Sequence, residues 1–168
     1  MPTSTTTPAA IRDRMLTVIE ALTPTSDSAI KFLRHPNEGA GDFIEWAEST
    51  PAAAYRRVQV IETGEDGPPE TSSGIEEERT VTFRVTIAYP LDQRYGTDLA
   101  LDRHDVIRED QRRIERAIGM HGKANFTPSS YPDATWLQDG SGADRQQGEA
   151  CDYLVLTIRM LYVLDVSA

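Results

Sequence analysis

His35, His104 and His121 are the only histidines in the chain, so acid–base or metal chemistry would have to start from one of them. His104 has the richest surroundings, because Asp105 and Glu109 follow it in a stretch with helical periodicity. Asp105 and Glu109 share a helix face at i,i+4, but one helical step turns His104 roughly 100° away from Asp105. The three groups do not converge, and a solvated helix face outweighs a metal or proton-transfer site. Gly122-Lys123 has the outline of a phosphate loop, yet Ala117 stands where its first glycine belongs and Ala124 where a Ser or Thr should bind magnesium. Cys151 lies beside Glu149 and Asp152, which disfavour a thiolate, at the start of an apolar strand; a small buried hydrophobe is the better reading. Asn125-Phe-Thr127 matches a glycosylation acceptor but carries no meaning without a secretory signal. Trp46 reads as a core or interface filler ahead of a ligand-stacking platform. No catalytic residue, cofactor or metal ligand is assigned, and an enzyme is not expected.

The elements around these residues follow from periodicity. Residues 152–166 dominate: Leu154, Leu156, Ile158, Met160, Tyr162, Leu164 and Val166 make one unbroken apolar face, while Thr157, Arg159 and Asp165 interrupt the other. At ~3.3 Å per residue this strand reaches on the order of 50 Å, beyond the ~20 Å of a common strand. Residues 78–89 alternate likewise, with Val81, Phe83, Val85, Ile87 and Tyr89 inward and Thr80, Thr82, Arg84 and Thr86 outward; Pro90 should close that strand. Residues 55–62 form a shorter strand, Val58 and Val60 inward, Arg57 and Gln59 outward. Such long strands are expected to leave unpaired ends that are blunted or taken up by a neighbouring subunit.

Residues 9–22 place Ile11, Met15, Val18, Ile19 and Leu22 on one helix face, with Pro8 suited to the first turn and Thr23-Pro24 as the stop. Residues 98–118 predict the longest helix, capped by Thr97 or Asp98 and ended by Gly119, with Leu99, Val106, Ile107, Ile114, Ala117 and Ile118 in its stripe. Arg103 and Asp110 fall inside that stripe. A carboxylate there must be paired or lie at the edge of the burial, and the sheet arginines Arg159 and Arg84 are the expected partners, giving a candidate buried ion pair Asp110–Arg159. Residues 31–35 suggest a short strand and 42–48 a turn or two of helix. Residues 135–138 suggest another strand with Trp136 buried. Residues 1–7 are read as a flexible tail, 119–131 as an irregular crossover, and 63–77 and 139–147 as mobile loops. The first of these loops is either a solvated arm or an arm that orders against a partner. The fold expected for residues 8–168 is a single α+β domain, a mostly antiparallel sheet with two helices packed on one face.

The length of 168 residues suits one core, and a lone cysteine excludes an internal disulfide. No window approaches a membrane span, and no apolar run follows a basic amino-terminal region, so synthesis in a cytosol and no membrane partner are expected. The formal net charge of -10 opposes general nucleic-acid binding, which needs a basic face.

The order of these elements resembles the tail terminator (tail completion) proteins of long-tailed bacteriophages. The likeness runs over roughly residues 8–166, from AAIRDRMLTVIEAL through RRVQVIE, an acidic loop, ERTVTFRVTIAY and LDRHDVIREDQRRIERAIG to YLVLTIRMLYVLDV. The resemblance implies a structural virion protein, made in the bacterial host cytoplasm. It would form a ring with itself, usually a hexamer, on the tail tube protein, end tail growth, and present a surface to the head-proximal connector protein while DNA passes through its channel without specific binding. Another head–tail joining protein, of the neck or head-closure kind, is the alternative, followed by a small enzyme or ligand-binding domain. Glu65, Asp66, Glu70, Arg84 and Arg159 are the candidate interface residues.

Overall fold

The computed structural model describes residues 7–23, 31–35, 43–49, 55–67, 76–91, 99–119 and 134–165. The elements in chain order are α1 (Pro8–Glu20), β1 (Lys31–Arg34), α2 (Phe43–Ser49), β2 (Tyr55–Asp66), β3 (Glu76–Pro90), α3 (Leu99–Ile118), β4 (Ala134–Gln147) and β5 (Cys151–Asp165). The strands form one sheet in the order β1-β2-β3-β5-β4; β1 runs parallel to β2 and every other pair is antiparallel. The α+β class with a mostly antiparallel sheet is as the alternation predicts.

Period 2 sorts the side chains. Val81, Phe83, Val85, Ile87 and Tyr89 of β3 and Leu154, Leu156, Ile158, Met160 and Tyr162 of β5 share one face with Val58 and Val60 of β2. Ile11, Met15, Leu16 and Ile19 of α1 and Val106, Ile107, Ile114 and Ile118 of α3 cover that face, each fully buried aliphatic contributing roughly 1.5–3 kcal/mol. Thr7 caps α1, its Oγ1 accepting from the Ala10 amide at 3.2 Å with Pro8 in the first turn. α3 stops at Gly119, whose φ of 109° suits glycine and whose amide reaches the Glu115 carbonyl at 3.0 Å. Its carboxyl-terminal half is tied to the end of α1 by Arg113, which donates to the Thr23 carbonyl.

The third helix lies on the opposite face. α2 sits between the parallel strands β1 and β2 in the chain, and packs Phe43 and Ala47 on Ala88, Cys151 and Tyr153. Cys151 is 1% exposed, the small buried hydrophobe expected of it. Arg57, read as outward, is buried too, because α2 covers that end of the second face: its guanidinium donates to the Ala47 carbonyl and lies 5.6 Å from the Trp46 ring.

Several expectations are corrected. Residues 63–66 and 76–77 lie in the β2–β3 and β3–β5 ladders, so only residues 68–75 of that expected loop fall outside the described residues. Residues 139–147 belong to β4, an edge strand pairing with β5. Pro90 does close β3, as its last residue, opposite Cys151. The ends of the long strands are not left unpaired, since β3 and β5 face each other from Glu76↔Asp165 to Pro90↔Cys151. The tail at 1–6, the helix caps at 97–98, the crossover at 120–131, the Trp136 side chain and Val166 lie outside the described residues.

The β4 assignment predicts an alternating pattern of amide exchange across residues 142–147, slow where the N–H points to β5 and fast where it points away. Uniformly fast exchange there would restore the loop reading.

Candidate interaction surface

The expected ion pair exists with a different partner. Asp110 is fully buried on α3, and its Oδ2 lies 2.8 Å from Arg56 Nη1 and accepts a 3.0 Å hydrogen bond from the Tyr89 hydroxyl. Arg84 and Arg159 cannot reach it: Arg84 faces Thr157 and Arg159 faces Thr82 across the ladder, on the sheet face turned away from α3. The sequence carried the right signal, because position 56 has the parity of Val58 and Val60 and must point to the helices. The Arg56 guanidinium is also 5.6 Å from the Phe32 ring and 5.7 Å from the Tyr89 ring. Aromatic faces and one carboxylate thus replace its lost hydration. Arg103, the second charge in the α3 stripe, pairs with Asp152 at 2.6 Å.

The five candidate interface residues separate. A register shift between Glu62 and Gly64 turns the pleat by one residue, so Glu65 opposes Val81 on the helix face. There its carboxylate accepts from the Tyr162 hydroxyl and lies 3.7 Å from Arg79. Asp66 is exposed at the end of β2, and Glu70 lies outside the described residues. Arg84 and Arg159 do share the open face. Arg159 is half-buried under a bulge of β4: its amide donates to Ser141 Oγ at 3.1 Å, and Gly140 closes over its side chain. A Cβ on Gly140 would meet Arg159 Cδ at 2.7 Å, and its φ of 75° favours glycine independently. Arg84 is exposed and, among the described residues, has no hydrogen-bond or ion-pair partner.

Beside Arg84 the open face and α2 enclose a groove of about 430 Å³, walled by Ile44, Ile61, Val155 and Tyr153 with Gln59 and Gln146 along it. Ile44 is 59% exposed there. Tyr153 is anchored by a 2.8 Å hydrogen bond from its hydroxyl to Glu48. Periodicity could not reveal this groove, because α2 is short and its position depends on the β1–β2 pairing.

The remaining chemistry-bearing residues do not assemble into a site. His35 is buried, its ring 4.8 Å from Trp46 and 5.9 Å from Phe43, which makes Trp46 a packing residue. His104 faces Arg145, and Glu109 pairs with Arg112 and Arg113. Among the described residues no group of three or more His, Cys, Asp or Glu side chains could hold a metal ion, and no helix is long and apolar enough to cross a membrane. His121 lies outside them. No protein-family model matches the sequence, and no curated protein matches it.

Truncating Asp110 leaves the Arg56 guanidinium buried without its counter-ion, so Asp110→Ala should destabilise by about 3–5 kcal/mol in denaturant titrations. The double variant Arg56→Met/Asp110→Leu should lose less than Asp110→Ala alone. A negligible loss in the single variant would place the carboxylate in water.

Burial, followed by hydrogen bonds to Glu65 and Glu48 respectively, pushes the Tyr162 and Tyr153 phenols well above their ordinary 10.0. Both shifts are upward, so this stability is fully present below pH 10.0 and is lost as pH rises beyond it, when the unfolded chain ionises first. Each tyrosine should steepen the alkaline loss by up to about 1.4 kcal/mol per pH unit. Tyr162→Phe and Tyr153→Phe should each flatten that slope, and an unchanged slope would show that the phenols ionise equally in both states.

Proposed function

We propose that this chain is a structural subunit that joins copies of itself head to tail into a ring at the head-proximal end of a phage tail tube, ending growth of the tube and forming the joint to the head connector. The observation that carries the reading is a pair of open sheet edges on opposite sides of one subunit. β1 pairs with β2 only as far as Val58, so among the described residues positions 60–66 of β2 have no strand on their outer side. At the other margin, β4 pairs inward with β5 and ends the sheet. Two different edges make a heterologous contact, and a heterologous contact repeated by rotation closes into a ring.

The position on the tail tube comes from the resemblance in element order. A formal net charge of -10 per subunit is compatible with it, since a channel of that sign repels phosphates and lets DNA slide. Neither edge is apolar: β4 carries Asp144, Arg145, Gln146 and Gln147, and the end of β2 carries Glu62, Glu65 and Asp66. Polar edges discourage indiscriminate strand addition in the free subunit and suit closure on a template.

Electron microscopy of assembling tails should show an added terminal ring and fixed tail length with the protein present, and tubes of unregulated length without it. Fixed-length tails assembled in its absence would overturn the terminator assignment. A ring on the head vertex instead would move the protein to the neck.

A further inference from the structure

We propose that the groove between α2 and the open sheet face receives the acidic end of the β2–β3 hairpin of a second copy, so that Arg84 of one subunit faces carboxylates of the next. This deepens the ring reading and rests on it. The argument begins with charge. In a chain with a formal net charge of -10, Arg84 is an exposed guanidinium without a partner among the described residues, on the margin of a groove of about 430 Å³. The walls of Ile44, Ile61 and Val155 exclude water from part of that space, which strengthens an ion pair formed in it. Gln146 adds an amide group that can donate to a carboxylate or to an incoming backbone.

The complementary feature is on the same chain. Residues 62–78 contain seven acidic side chains and no Lys or Arg, the densest uncompensated charge in the sequence. Two of these acids, Asp66 and Glu78, are exposed toward the described ends of β2 and β3 and have no ion-pair partner among the described residues. Glu65 is the exception, held by Tyr162 and Arg79. The ladder fixes the places of these acids, with Asp66 opposite Thr80 and Glu78 opposite Val163. Arg84 lies opposite Ile61, whereas Asp66 lies opposite Thr80 and Glu78 opposite Val163, farther along the ladder, so a cation beside the groove and anions at the hairpin end fit each other between copies placed head to tail. The contact also relieves the repulsion among the hairpin acids, which identical hairpins meeting each other would increase.

The test is self-association of the full chain, measured by sedimentation at low salt and by ring formation on purified tail tubes. Arg84→Glu should weaken association by roughly tenfold or more, because attraction becomes like-charge repulsion. Since Arg84 is exposed, circular dichroism should show the variant folded, and Arg84→Gln should give a smaller loss in the same direction. Asp66→Arg/Glu78→Arg should weaken association likewise, and combining it with Arg84→Glu in one chain should restore it. Wild-type rings that are indifferent to Arg84→Glu would overturn this inference and leave the ring reading standing. A variant that still self-associates but no longer binds tail tubes would show that the groove takes the tube protein, which also overturns it. Failure of the wild type to associate under either condition would overturn the ring reading itself.

Discussion

Fifteen residues of β3 face fifteen of β5 without a register shift, and this ladder is the constraint from which the rest of the subunit follows. Because the pairing is continuous, the pleat of both strands stays in phase from one end to the other. One set of positions can therefore be apolar from Val81 to Tyr89 and from Leu154 to Tyr162 and take α1 and α3, while the other holds Thr82, Arg84, Thr86 and Thr157 on a polar face. A slip of one residue would bring Arg84 and Arg159 under the helices and put Phe83 and Ile158 in water. Such a slip costs so much buried surface that the register is strongly determined.

Within that core the sheet accepts an ionic group, and its geometry shows how. Arg56 and Asp110 are both fully buried, joined to Tyr89 and flanked by the Phe32 ring. The desolvation of two charges is offset by their mutual attraction, the Tyr89 hydrogen bond and two aromatic faces, so the pair adds little net stability compared with apolar residues of similar volume. Its effect is on specificity. The pair joins β2 to α3 at one point, and a helix shifted along its axis would separate two charges in an apolar medium.

The second face is where the subunit differs from a simple two-layer sandwich. α2 covers only one end, where Ala88, Cys151 and Tyr153 are buried, and leaves the remainder open beside a groove. The bulges in β2 and β4 act on this face and its margins. The first turns Glu65 inward to Tyr162, leaving Asp66 exposed; the second wraps Gly140 over Arg159. Two chemically similar arginines thus acquire different fates, Arg159 enclosed by its own edge strand and Arg84 available to another molecule. The association we propose, through edges and through the open face, would draw on this same partial covering.

The apolar sides of α1, α3, β3 and β5 were legible in the sequence because each is a long amphipathic element, in which period 2 or 3.6 must match a single buried side whatever it packs against. Parity also announced that position 56 points inward, although only the fold shows that Asp110 waits there. Of edge strand β4 only residues 135–138 were legible; the rest escaped detection for the opposite reason, since Asp-, Gly-, Ser- and Gln-rich segments carry no apolar period when both sides are wet, and residues 142–147 are strand because β5 supplies the hydrogen-bond partners. The ladder ends at 63–66 and 76–77 were hidden in the same way, by acidic and glycine-rich composition. Burial of Arg57, packing of His35 on Trp46 and the groove beside Arg84 all depend on α2 meeting the second face, a contact between segments far apart in the chain. Sequence by itself determined which residues must leave water; the tertiary structure alone decided what each meets, because pairing and approach are relations between distant segments that local periodicity does not encode.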